Sequence, residues 1–219
     1  MNAHKPLVIL GAGGHAKVLL ALVQSLGLDV LGVCDPVLAE QGAGLWRGIA
    51  VLGGDAALEA LDPDSVELVN GLGQLVGSAG RANLFQRLKL QGFRFPVLVH
   101  PTAWVDSSAT LQEGVQVMAG AVIQADVVIG ANSIINTRAG VDHDCRLGVD
   151  VHVAPGATLC GSVRVADRAF IGSGATVIQG LNVGMEAVVG AGATLTRNLE
   201  ARHVLLGPAG RKKDAPKED

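Results

Sequence analysis

The chain has 219 residues and a formal charge of −3, with a pI near 6.0. Hydrophobic residues make up 49% and charged residues 17%, which excludes a largely disordered chain and leaves no basic face for a nucleic acid. Aromatic residues reach only 3%, with no Tyr, against 30 Gly, so the core must be built from small and aliphatic side chains.

The N-terminal residues lack the layout of a signal peptide. Lys17, Gln24 and Asp29 interrupt the longest apolar stretch, so no membrane span is expected. Cys34, Cys145 and Cys160 show neither metal-ligand spacing nor a disulfide pattern. A reducing compartment, the cytoplasm, is the expected location, and no metal site is expected.

In chain order, Pro6 to Leu10 reads as a buried strand and Gly11 to Gly14 as a turn. His15 to Leu26 carries helical spacing (Val18, Leu19, Leu22, Val23, Leu26) and stops at Gly27. Val30 to Cys34 is a second strand, ended by Asp35. Ala56 to Leu61 reads as a short helix, Val66 to Asn70 as a third strand, and Arg81 to Gln91 as a helix closed by Gly92. Strands alternating with helices predict a parallel sheet.

Gly11-x-Gly13-x-x-Ala16 sits between the first strand and the first helix. This is the spacing of a dinucleotide fingerprint. Glycines let the backbone approach a phosphate, and a helix N-terminus favours its negative charge. Asp35 is placed to accept from a ribose hydroxyl or a base. His15, at the helix start, reads either as a phosphate or sugar contact or as an ordinary surface histidine. The few strands visible suit a mononucleotide diphosphate better than NAD.

From Val97 to Asn198 the chain divides into seventeen sixes without an insertion. The third position is Val, Ile or Leu in all of them, and the first is Ala in nine. Period six fits neither a helix nor a simple strand. It predicts a parallel β-helix of short strands and tight corners, with coils stacked about 4.8 Å apart and an interior too narrow for aromatic rings. Within it, Asp142-His143-Asp144 places a histidine at an outward-facing fifth position between two carboxylates. A carboxylate there can orient the ring and stabilise the imidazolium. Cys145 falls at an inward position and reads as core.

The hexads resemble those of the hexapeptide-repeat acyltransferases, whose solenoid is a left-handed β-helix with three hexads per turn. GAGGHAKV at residues 11–18 followed by such a solenoid is similar to the bacterial nucleotide-sugar N-acetyltransferases, which act on nucleotide-linked 4-amino-6-deoxy sugars for polysaccharide biosynthesis. That family also includes proteins labelled sialic acid O-acetyltransferases. The resemblance implies a small Rossmann-like α/β domain over residues 1–96, a left-handed β-helix over 97–198 and a tail over 199–219. It implies acetyl-CoA as co-substrate and a homotrimer with CoA between adjacent subunits.

By motif, Gly13, Gly14, His15, Asp35, Asn70 and Gly71 fall in the nucleotide-sugar site. His143 matches the general base and Asp144 the acid that orients it. The family often has Glu at this second position, so Asp142 remains an alternative as well as a substrate contact. Asn136 matches a substrate contact and His152 a residue near the acetyl carbonyl, able to help hold the oxyanion. With eighteen residues per coil, Ala125 and Gly161 stack on either side of His143. Gly161, Gly190, Ala191 and Pro208 would line the acetyl-CoA path. The family's closing Gly-x-Pro-Ala-Lys is Gly207-Pro208-Ala209-Gly210 here, without its Lys, and is followed by Arg211, Lys212 and Lys213. The implied activity is N-acetylation of a nucleotide-linked amino sugar. The alternatives are O-acetylation of a sugar hydroxyl, which needs the same base, an NAD-linked enzyme, and a non-enzymatic nucleotide-binding scaffold.

Overall fold

A computed structural model describes residues 5–207. The N-terminal unit runs β1 (Leu7–Leu10), α1 (Gly14–Ser25), β2 (Val30–Cys34), α2 (Pro36–Glu40), β3 (Leu45–Trp46), β4 (Ile49–Gly53), α3 (Asp55–Glu59), β5 (Glu67–Asn70) and α4 (Gly80–Leu90). The sheet order is β3-β4-β2-β1-β5. β1, β2, β4 and β5 are parallel, while β3 is antiparallel to β4. This β3–β4 hairpin adds two strands to the three expected. Its two-residue turn is Arg47-Gly48, both at positive φ, as a tight hairpin requires.

Seventeen two-residue strands then follow at six-residue intervals, from Leu98–Val99 to Thr194–Leu195, and a last strand, Val204–Leu205, lies beyond. They form three faces of parallel strands. The first face starts at Leu98, the second at Trp104 and the third at Thr110. Register fixes the coil at eighteen residues, with Ile134 paired to His152 and Ile135 to Val153. Positions one and three of the hexads point inward, and Val115, Val117, Ala121, Ile123, Val127 and Ile129 open a continuous buried row of this kind.

The sixth position of every hexad from Gly114 to Gly192 has φ between +55° and +73°, whether it holds Gly, Asp, Asn, Arg, Ser or Glu. Each of these corners turns on one left-handed residue, and this, rather than any ligand, sets the frequency of Gly, Asn and Asp there.

The two units share a core. Ala16, Leu19, Leu20, Leu22 and Val23 of α1 pack with Leu98, Met118 and Ile134 on the first face. The C-terminal edge of the parallel sheet therefore opens against the solenoid, at the corner between the first and second faces. Ligands of open α/β sheets bind at that edge.

Candidate active site

A cavity of about 1130 Å³ occupies this edge. Gly11 to His15, Asp35, Gly71 to Leu75 and Arg81 line it from the N-terminal unit, and Asn136, Thr137, His152 and Pro155 from the solenoid. Gly13 precedes α1, and no side chain caps the helix, so its first-turn N–H groups lack intrahelical partners. A Cβ built on Gly13 or Gly14 meets nothing within 4 Å. The glycines thus leave room for a ligand beside free amides, which suits a phosphate.

Asp35 lines the cavity, but both of its carboxylate oxygens are already engaged. Oδ2 accepts from the Ala12 amide at 2.8 Å and Oδ1 from the Leu38 amide at 2.9 Å. Its first role is to hold the glycine loop and to cap α2. Asn70, expected in the substrate site, is turned away from it. It is 1% exposed and is not among the residues lining the cavity. Its Nδ2 donates to the Arg81 carbonyl and to Asn132 Oδ1, and its Oδ1 accepts from the Leu72 amide. Gly71 does border the cavity, but a Cβ there would run into Leu10, Ile9 and Ala16, so its lack of a side chain serves packing first.

His15 is neither a charged phosphate contact nor a surface residue. Its Nε2 lies 2.8 Å from Gln116 Oε1, and Gln116 Nε2 donates to the Asn70 carbonyl. That second bond fixes the amide, so Nε2 of His15 carries the proton. Burial, with the charge of Arg81, pushes its pKa down to about 4.

His152 is also neutral, pushed down to about 4, mainly by burial. Asn136 Oδ1 accepts from the Thr137 amide, so Asn136 Nδ2 donates to His152 Nε2 at 3.1 Å. His152 Nδ1–H then faces the Gln74 carbonyl at 3.4 Å. Both ring nitrogens of His152 are thus engaged within the chain. It and Asn136 belong to the large cavity rather than to the surroundings of His143.

His143 lies on a different corner, between the second and third faces. A smaller cavity there is lined by Asp142, His143, Cys160, Gly161, Ser162, Gln179 and Gly180. His143 Nδ1 meets Asp144 Oδ2 at 2.8 Å, while Asp142 Oδ1 accepts the backbone N–H of His143. Asp144, not Asp142, is therefore the residue that orients the ring. The hydrogen bond to Asp144 and the nearby charges raise the His143 pKa above its ordinary value, against a smaller opposing effect of desolvation. A Cβ on Gly161 would lie 2.6 Å from His143 Cε1 and Nε2. Gly161 is thus the seat of the imidazole, a tighter constraint than the expected contact with pantetheine.

Gly190 and Ala191 line none of these cavities. A Cβ on Gly190 would meet the Leu205 carbonyl at 2.8 Å and the Gly207 amide at 3.0 Å, so coil stacking demands this glycine. Pro208 and Arg211 to Lys213 lie outside the described residues. Cys145 is buried, with its Sγ 3.2 Å from the Cys160 carbonyl, and desolvation pushes its thiol up to about 11. Among the described residues no group of His, Cys, Asp or Glu is arranged to hold a metal ion, and no helix is long and apolar enough to cross a membrane.

Sequence reasoning missed the junction between the units. Arg81 is buried, and its Nη1 donates to the carbonyls of Asn70 and Leu72 at 2.8 and 2.7 Å. Its Nε and Nη2 donate to the Asn132 carbonyl, and Asn132 Nδ2 passes the contact on to Asp150 Oδ1. The only available signal was Gln116, a polar residue between Leu98 and Ile134 on a face the N-terminal unit covers.

Residues 6–88 match the family described as PglD N-terminal domain, and residues 162–197 the hexapeptide repeat of succinyl-transferase. Perosamine N-acetyltransferase from Caulobacter crescentus, solved with CoA and GDP-perosamine, is 39% identical over 95% of this chain and 97% of its own, with a TM-score of 0.85. This chain belongs to the same family of hexapeptide-repeat sugar acetyltransferases. The acetyltransferase domain of PglB from Neisseria gonorrhoeae FA1090 is a second member, 35% identical over 93% of this chain and 97% of its own, with a TM-score of 0.85. It has also been solved with acetyl coenzyme A. A curated relative, the acyl-[acyl-carrier-protein]–UDP-N-acetylglucosamine O-acyltransferase of Sinorhizobium fredii, is 35% identical over 75 residues, which are 34% of this chain and 28% of that enzyme. The two structural matches span both the α/β unit and the left-handed β-helix.

Proposed function

We propose that the protein transfers the acetyl group of acetyl-CoA to the amino group of a nucleotide-linked 4-amino-6-deoxy sugar. The observation that carries this reading is His143 held by Asp144 over Gly161, with Nδ1 engaged and Nε2 left to take a proton. The sugar amine attacks the thioester carbonyl, and its proton passes to Nε2. The C–S bond breaks with its electron pair on sulfur, and the imidazolium returns the proton to that thiolate. Backbone N–H groups hold the oxyanion, and no covalent enzyme intermediate is needed. The glycine-loop cavity takes the nucleotide diphosphate. The perosamine N-acetyltransferase supports the assignment, since variants with one histidine replaced by asparagine or alanine were solved with both CoA and GDP-perosamine bound.

The large cavity and His143 share no lining residue, and the width of the second face separates them. A neighbouring copy would supply the base, in a homotrimer. The outward row of the second face is Trp104, Val122, Gly140, Thr158, Thr176 and Thr194, a row without charge. Trp104 in it is 60% exposed, which suits burial against another copy. The acetyl-CoA requirement and three free cysteines favour the cytoplasm.

The test is incubation with acetyl-CoA and a panel of UDP-, GDP- and dTDP-linked 4-amino sugars and their 4-hydroxy counterparts, following thiol release. Release is expected with an amino sugar, and His143→Ala should lower turnover about a hundredfold or more while CoA still binds. Release with hydroxy sugars alone would make the enzyme an O-acetyltransferase. No release at all would overturn the reading.

A further inference from the structure

The turn from Gly71 to Gln74 bridges the glycine loop and the solenoid, and its backbone is pinned. Arg81 holds the Leu72 carbonyl, and His152 faces the Gln74 carbonyl. The Gln74 side chain is not pinned in this way. Its Oε1 is the one buried side-chain nitrogen or oxygen among the described residues with no hydrogen-bond partner. A buried acceptor without a donor is costly and rare. Gln74 stands between the large cavity and a second one of about 390 Å³ lined by Ser78, Phe170 and Val188; a ligand in the large cavity can supply the donor once the oxygen turns toward it.

We propose that Gln74 determines specificity by accepting a hydrogen bond from a hydroxyl or amino group on the sugar moiety of the nucleotide sugar. The inference rests on the proposed function. A diphosphate has no donor to offer at neutral pH. Asp35 and Pro36 border the cavity on the far side of the glycine loop, while Gln74 meets the solenoid, toward which the reacting sugar must point. The other acceptors at this end are committed, His152 Nε2 to Asn136 and Asn136 Oδ1 to Thr137. The terminal amide torsion of glutamine is soft, so a small rotation turns the oxygen from the wall into the cavity.

Gln74→Met keeps the length of the side chain and removes the acceptor. Calorimetric titration would compare parent and variant with the amino-sugar nucleotide that the parent turns over fastest, with its free nucleoside diphosphate, and with acetyl-CoA. The variant should bind the nucleotide sugar at least tenfold more weakly and the other two equally well. Its unliganded Tm should be unchanged or higher, because the unpaired oxygen is gone. Equal affinity for the nucleotide sugar, an equal loss for the nucleoside diphosphate, or a fall in Tm would each overturn the role of Gln74. A parent that binds nucleoside diphosphates but no nucleotide sugar would instead overturn the proposed function, and this inference with it.

Discussion

Asp144 owes its position to the corner it occupies. At φ +59° it fills the left-handed site that the corners from Gly114 to Gly192 share, a conformation Asp tolerates better than most residues. There its short side chain reaches His143 Nδ1 at 2.8 Å. The pairing raises the His143 pKa above 6.5. A general base acts when unprotonated, so kcat/KM should fall as pH drops through a value above 6.5, the model-compound pKa of the ring. Asp144→Asn should move that acid limb to lower pH and reduce kcat on the plateau. A pH–rate profile from pH 5 to 9 checks this, and a limb that stays in place would assign the raised pKa to Asp142 instead.

Among the elements, the junction of α4 with the solenoid concentrates the buried polar groups. Burial pulls the Arg81 guanidinium down to about 9 and pushes the Asp150 carboxyl up, with Asn132 bridging the two. Arg81→Met would leave the carbonyls of Leu72 and Asn132 without their donor and that of Asn70 with Gln116 alone, and would take one of two nearby cations from Asp150. Breaking such a buried arrangement costs about 3–5 kcal/mol, to be read from urea unfolding. A loss below about 1 kcal/mol would mean that the network adds nothing net. This junction was invisible in the sequence because Arg81, Gln116 and Asn132 meet only after two units dock. The hexads were legible because one residue class recurs every six positions, and His143 because it stands between carboxylates. The left-handed sixth position was hidden, since Asp, Arg, Ser, Glu and Gly there share a backbone angle rather than a chemistry. The β3–β4 hairpin was missed because two short strands around Arg47-Gly48 carry too little periodicity. The tautomer of His152 was not legible because it depends on Asn136 and Gln74, which no spacing reveals.

For the whole molecule, the large cavity and His143 share no lining residue, so the proposed function makes catalysis a property of an assembly. Gly13→Val places a branched side chain in open space at the cavity and should abolish nucleotide-sugar binding while leaving His143 intact. His143→Ala does the reverse. Each variant alone should be nearly inactive. Co-expressed in equal amounts, they should recover up to about a quarter of the parent's turnover, because random assembly joins an intact cavity to an intact base in about one site of four. Light scattering of the parent should give three times the chain mass. Absence of any recovery would place both halves of the site within one chain.

The eighteen-residue coil gives the solenoid something like a reading frame. One extra residue between His143 and Gly161 would exchange inside for outside in everything that follows. Six extra residues would restore the burial but carry every later corner to the wrong face. Eighteen would restore both, and would move the downstream coils along the axis by one strand spacing, about 4.8 Å. Change of length here is quantised, so the separation between the base and the far end of the solenoid can be lengthened or shortened only in whole coils.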